Sequence, residues 1–217
     1  MMKIAYINPN STAAMTEGIV AVAAAALPVA RIIGITNIDA PSAIQGPEDG
    51  AAALPGVLRL VAEAEADGAG AIVIGCFDDT GLAEAQSITD LPVLGIGQSA
   101  YVMAGLMGRR FSVVTSLAVS IPVITENIAA GGYAPNCAGV YASHLPVLTI
   151  DEGSEPTRAH LAACLTEAAK TSGAVVLGCA GMAGLRADLA RRTGVLLIDG
   201  VAASAHLAAA AAGYRRT

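Results

Sequence analysis

Two cysteines sit where this sequence can do chemistry. Cys76 ends the run Ala69-Gly70-Ala71-Ile72-Val73-Ile74-Gly75-Cys76 and is followed by Phe77-Asp78-Asp79-Thr80-Gly81-Leu82. Cys179 ends Ser172-Gly173-Ala174-Val175-Val176-Leu177-Gly178-Cys179 and is followed by Ala180-Gly181-Met182-Ala183-Gly184-Leu185. Each run of branched apolar residues predicts a buried strand that stops at Gly-Cys and then turns into a helix. The two stretches align without a gap for over thirty residues, matching Gly81 to Gly184 and Gly97 to Gly200. One such cysteine alone is most simply a small buried hydrophobe. A repeated pair at strand ends calls for another explanation. A helix N-terminus favours negative charge and lowers a thiol pKa. Two thiols facing one small ligand could take a proton from one side and return it on the other.

The elements that position them follow from apolar periodicity and turn residues. Ile4–Ile7 is a first strand. Asn8-Pro9-Asn10-Ser11-Thr12 is a polar turn in which Ser11 or Thr12 can cap a helix over Ala13–Ala26. The same turn is a natural ligand loop, although its residues suit a plain turn equally. Strands follow at Arg31–Thr36, up to Cys76, and at Pro92–Ile96. Helices fall over about Pro47–Asp67, Leu82–Gln86 and Gln98–Met107. Phe111–Ser116 restarts the pattern, with a helix over Ala118–Gly131 and a strand at Val140–Ala142. His144–Glu155 reads as a loop and Pro156–Lys170 as a helix. The strand to Cys179, a strand over Gly194–Asp199 and a final helix close the chain. Alternating strands and helices predict an α/β fold with parallel sheets. Ligands then bind beyond the carboxyl ends of the strands, where both cysteines fall.

The totals bound the function. At 217 residues the chain suffices for one large or two small domains. An apolar content of 54% with 14% charged residues fits a compact protein rich in buried sheet, not a disordered chain. A net charge of −6 without a basic block argues against nucleic acid and anionic membranes as partners. The N-terminus turns polar too early for a signal peptide, so we expect a cytoplasmic protein. The four cysteines show no C-x-x-C spacing, which favours free thiols over a disulfide or a zinc site. Cys137 and Cys164 lack the strand-end setting and read as bystanders.

Other motifs carry less. Gly95-Ile96-Gly97-Gln98-Ser99-Ala100 has the form of a dinucleotide fingerprint, but it does not follow the first strand. No acid that could hold a ribose ends the next strand. Its glycines are better read as allowing a helix close to the sheet. His144, His160 and His206 pair with no cysteine or carboxylate at a recognisable spacing. Asp78 and Asp79 can cap a helix or meet a polar substrate edge. A carboxylate there also raises the Cys76 pKa, which suits a base that must also serve as an acid.

Taken together, Ile7-Asn8-Pro9-Asn10-Ser11-Thr12, Gly75-Cys76-Phe77-Asp78-Asp79-Thr80-Gly81-Leu82, Phe111-Ser112-Val113-Val114-Thr115, Leu177-Gly178-Cys179-Ala180-Gly181-Met182 and Ile198-Asp199-Gly200-Val201 resemble the hydantoin racemase family. That family includes allantoin racemases and lies within the aspartate/glutamate racemase superfamily. The resemblance implies two pseudo-symmetric α/β domains with parallel sheets and a site in the cleft between them. We expect residues 1–98 with 203–217 to form one half and 99–202 the other. It further implies racemisation without cofactor or metal, with Cys76 and Cys179 as the acid/base pair. Substrate contacts carried over by position are Asn10, Ser11, Phe77, Asp78, Thr115, Ser116, Ala180 and Gly181. Members often carry Glu and His where this chain has Gln98 and Val102, a difference that bears on substrate. The expected ligand is a small cyclic ureide, and the expected assembly a homo-oligomer. Racemisation of another carbon acid, such as an amino acid, is the alternative within the superfamily. A non-catalytic α/β binding domain with inert thiols is the alternative outside it.

If Cys76 and Cys179 form the working pair, Cys137→Ala and Cys164→Ala should each leave turnover within a few-fold of the parent. Loss of turnover in either, with circular dichroism unchanged, would mean that the pair was misassigned.

Overall fold

The structure is a computed structural model and describes residues 1–215. The first half runs β1 (Lys3–Asn8), α1 (Ala13–Ala26), β2 (Arg31–Thr36), α2 (Pro47–Ala66), β3 (Ala71–Ile74), α3 (Leu82–Ile88), β4 (Val93–Gly95) and α4 (Ile96–Leu106). The second runs β5 (Phe111–Thr115), α5 (Ile121–Ala130), β6 (Cys137–Ala142), α6 (Val147–Glu152), α7 (Glu155–Ala169), β7 (Ala174–Gly178), α8 (Arg186–Thr193), β8 (Leu197–Asp199) and α9 (Gly200–Tyr214). Each half builds one four-stranded sheet, in the orders β2-β1-β3-β4 and β6-β5-β7-β8. Every pairing is parallel.

The central strands β1, β3, β5 and β7 are buried almost throughout. Parallel strands covered on both faces need continuous apolar runs, and Ala71–Ile74 and Ala174–Leu177 supply them. β1 pairs Ile7 with Ile74, and β5 pairs Thr115 with Gly178. That register brings the first loop of each half beside its cysteine. The glycine before each cysteine makes this approach possible. A Cβ on Gly178 would lie 2.7 Å from the Val114 carbonyl oxygen, and one on Gly75 3.2 Å from that of Ile7. The final helix α9 packs against α1 and α4, and Tyr6 of β1 hydrogen-bonds Ser204 of α9 at 2.8 Å.

Three local readings change. Thr12 takes the N-cap position of α1, yet makes no side-chain capping bond. Its hydroxyl donates instead to the Ser42 carbonyl at 2.7 Å, tying the first loop to the next one. The stretch expected as a loop from His144 to Glu155 contains α6, because Val147 and Ile150 share one face and bury it. The strand expected at Val140–Ala142 begins at Cys137.

The fingerprint-like glycines have a specific use. Asp79 sits in the left-handed region, φ 51°, which Asp tolerates better than most residues. Its carboxylate accepts from the Gly97 and Gln98 amides at 2.9 and 2.7 Å, capping α4 from a distant loop. Cβ atoms on Gly95 and Gly97 would collide with this side chain. A carboxylate thus fills the place where a phosphate would bind. Burial pushes the Asp79 carboxyl up to about 7, against the two amides that favour its charge.

Asp79→Ala should destabilise the fold by about 1–2 kcal/mol, since both amides lose their acceptor. The folded state holds the Asp79 proton between the ordinary value of 3.8 and about 7, where the unfolded chain releases it. Stability from this group is therefore full below that window and is lost as pH rises through it. Urea midpoints measured across the window should fall more steeply in the parent than in Asp79→Asn.

Candidate active site

The turns after β3 and β7 meet across a small cavity of about 30 Å³ lined by both Cys76 and Cys179. Asn10, Phe77, Asp78, Thr115, Ser116 and Ala180 line it as well, so eight of the ten residues expected from sequence converge there. Ser11 and Gly181 do not line it. Ser11 faces the loop after β2, its amide bound to the Pro41 carbonyl at 3.0 Å. Gly181 packs against Asp151. Gly75 and Gly178 complete the lining with Met15, Ile44, Ser120 and Val147, of which the last four were not foreseen. Val147 was hidden by the loop reading of α6, although its i, i+3 spacing to Ile150 was a usable signal. Ser120 carried no local signal.

The two sulfurs have matched surroundings. The backbone N–H groups two positions after each cysteine, those of Asp78 and Gly181, favour its thiolate. A second donor differs. At Cys76 the Thr80 hydroxyl donates to the sulfur at 3.5 Å, whereas at Cys179 the Met182 amide donates to the backbone carbonyl of Cys179 at 3.0 Å. Cys179 begins a 3₁₀ turn over Ala180–Leu185, whereas the helix after Cys76 starts only at Leu82. The expected pKa lowering by a helix end is overridden. Burial pushes both thiols up, and the Asp78 charge pushes each further. The sulfur donors pull the other way and recover only part of this.

Asp78 is the pivot between the two sulfurs. Its carboxyl is raised to about 6, chiefly by burial, while the Ser120 hydroxyl donates to Oδ2 at 3.2 Å and favours the charge. The Asn127 amide group holds the Asp78 carbonyl at 2.9 Å. Both partners come from the other half of the chain, so α5 and the turn before it fix Asp78 beside Cys76. Asn10 is held in turn: its Oδ1 accepts from Asn8 Nδ2 and the Thr12 amide, both at 2.9 Å. Its Nδ2 donates only to the Met15 sulfur, at 3.4 Å. Thr115 donates its hydroxyl to the Gly178 carbonyl at 3.0 Å.

No histidine lines the cavity. His160 does meet a cysteine, Cys164, at 3.6 Å across one helical turn, an i, i+4 spacing overlooked in the sequence. Its Nε2 lies 2.8 Å from the Ser143 carbonyl oxygen, so that nitrogen donates there and cannot accept the thiol proton. Among the described residues, no group of three or more His, Cys, Asp or Glu side chains is placed to hold a metal ion. No helix among them is long and apolar enough to cross a membrane.

Two parallel sheets of one topology, each delivering a thiol to a shared cavity, define a pseudo-symmetric α/β protein with a paired-thiol cavity. The chain belongs to the Asp/Glu/hydantoin racemase family, whose model matches residues 4–208. A hydantoin racemase of Rhizobium meliloti is 40% identical over 220 residues, covering 98% of this chain and 90% of that protein. A hydantoin racemase of Pseudomonas sp. (strain NS671) is 34% identical over 212 residues, covering 95% and 84%. Among solved structures, the allantoin racemase from Klebsiella pneumoniae superposes with a TM-score of 0.94 at 35% identity, covering 99% of this chain and 89% of that one.

Asp78 should set the pH at which the pair becomes reactive. Above about pH 6 its charge opposes ionisation of both thiols. Asp78→Asn removes that charge and lowers both thiol pKa values. The acidic limb of the kcat/KM profile should therefore move to lower pH, which a profile on the parent and the variant would read directly. An unmoved limb would show that Asp78 does not govern the thiols.

Proposed function

We propose that this protein racemises 5-monosubstituted hydantoins or a closely related cyclic ureide such as allantoin, using Cys76 and Cys179 as its two acid/base groups. The observation that carries this reading is the convergence of both thiols, from equivalent positions of a repeat, on one water-poor cavity. The similarity to hydantoin and allantoin racemases supports the substrate class.

The chemistry follows from the ring. The C5 hydrogen lies between a carbonyl and a ring nitrogen. One cysteine thiolate takes it: the C–H bond breaks, an S–H bond forms, and the electron pair spreads into the carbonyl as an enolate. The other cysteine then gives its proton to the opposite face of C5 and becomes the thiolate. The pair has exchanged states and can run in reverse. Burial makes the singly ionised pair scarce at neutral pH, and the same burial makes the thiolate a stronger base once formed. The backbone amides that follow each cysteine, at Phe77 and Asp78 and at Ala180 and Gly181, are the donors offered to the enolate oxygen. Such a donor contributes about 3–4 kcal/mol to the transition state in known oxyanion sites. Asn10 Nδ2 can exchange its weak sulfur contact for a ring carbonyl. The charged residues lining this cavity and its neighbour are acids, namely Asp78, Asp79 and Glu84. Their field favours a neutral ring over the carboxylate of an amino acid.

The test separates proton exchange from racemisation. Every racemising turnover needs one base and one acid, so Cys76→Ser and Cys179→Ser should each stop it in both directions. Each variant keeps one thiol, which can still take a proton from its own face and return a solvent proton there. In heavy water the two variants should label opposite enantiomers of a hydantoin, after correction for spontaneous exchange. The same preference in both, or near-parental racemisation by either, would rule out one thiol per face.

A further inference from the structure

A second cavity of about 490 Å³ adjoins the thiol cavity, and Ile44 and Asp78 form part of both walls. Its lining draws on the start of α2, the turn after Cys76, the start of α4 and the inner face of α5. Leu54, Leu82, Val123 and Tyr133 give it an apolar character. Tyr101 also lines it, is 1% exposed, and has a hydroxyl without a hydrogen-bond partner. A buried donor left unpaired costs free energy unless something meets it. The thiol cavity has room for little more than water and cannot enclose a substituted ring. Its neighbour has the size and lining of a small-molecule pocket.

The repeat makes the arrangement one-sided. The counterpart of Asp79 is Met182, which is fully buried. With Leu185 it closes the turn after Cys179 against α1 and α6. Space for a side group therefore lies on the Cys76 side. One pocket suffices for both enantiomers. The enolate is planar at C5, so substituent, carbonyl carbon and ring nitrogen stay in place while only the proton changes face.

We propose that this larger cavity holds the substituent on the reacting carbon and selects bulky, uncharged aryl or alkyl groups, with the ring lying across the Ile44–Asp78 wall between the thiols. The inference rests on the hydantoin reading above and deepens it. Asp78, Asp79 and Glu84 on the lining disfavour a substituent that ends in a carboxylate.

The experiment compares kcat/KM for 5-methylhydantoin, 5-benzylhydantoin and 5-(2-carboxyethyl)hydantoin. The parent should prefer the benzyl compound by about tenfold or more over each of the others. Val123→Trp on α5 and Ala51→Phe on the exposed face of α2 narrow the cavity from different walls. Each should lower the benzyl-to-methyl ratio by about fivefold or more. Circular dichroism and the thermal midpoint report that each variant is folded, and Ala51 is exposed, so its replacement does not disturb the core. If the parent racemises no hydantoin, the functional reading falls and this inference with it. If the parent racemises hydantoins but shows no preference for the benzyl group, only this inference is overturned. An unchanged ratio in the Ala51→Phe variant overturns it likewise.

Discussion

Burial raises both thiol pKa values, ahead of every charge nearby. The cavity between the sheets is therefore a place where a thiol keeps its proton and a thiolate is costly. An acid/base pair needs one of each, with near-equal claims on the second proton. In the proposed mechanism that need is met by symmetry. Amides at equivalent positions, Asp78 and Gly181, favour the two thiolates, and one neighbouring carboxylate raises both thiols. Everything else around the site follows from keeping these surroundings dry, matched and fixed.

Strand geometry delivers the pair. A sulfur at the end of a central strand reaches the cavity only if the preceding residue lets the neighbouring strand approach. Gly75 and Gly178 meet that condition for β3 and β7. The loop after β1 and the end of β5 then arrive beside the cysteines through parallel register, bringing Asn10 and Thr115 without any contact local in sequence. Asp79, Gly95 and Gly97 form a second interlocked set. A buried carboxylate caps α4, and two glycines make room for it.

The duplication is faithful in the sheets and broken in the turns. In the first half the helix after the last strand is capped from another loop by Asp79. In the second, Asp199 caps α9 itself through the Val201 and Ala202 amides at 2.8 and 3.1 Å. The place of Asp79 is then free for the apolar Met182, and the surrounding turn closes. Moving one carboxylate between equivalent helix ends thus separates an open side of the site from a filled one.

The chain itself determined the strands, the order of elements and the two thiols. Continuous apolar runs ending in Gly-Cys are local signals, and their repetition marks both cysteines in a single reading. Cys76, Cys179, Asn10 and Asp78 could be named because each lies within a few residues of a strand end. Ser120 could not, since it reaches Asp78 only where the halves meet. Val147 was missed because a two-turn helix between loop residues gives a short, weak period. Ser11 and Gly181 were carried over with the family resemblance, but backbone direction turns one toward a neighbouring loop and the other against Asp151. The pKa direction was legible only in part. A helix start nearby suggested a lowered thiol and the Asp78–Asp79 carboxylates a raised Cys76, yet the largest cause, desolvation, is a sum over everything packed around the sulfur. That sum, like the cavity beside Cys76, exists only once two distant segments close on each other and exclude water.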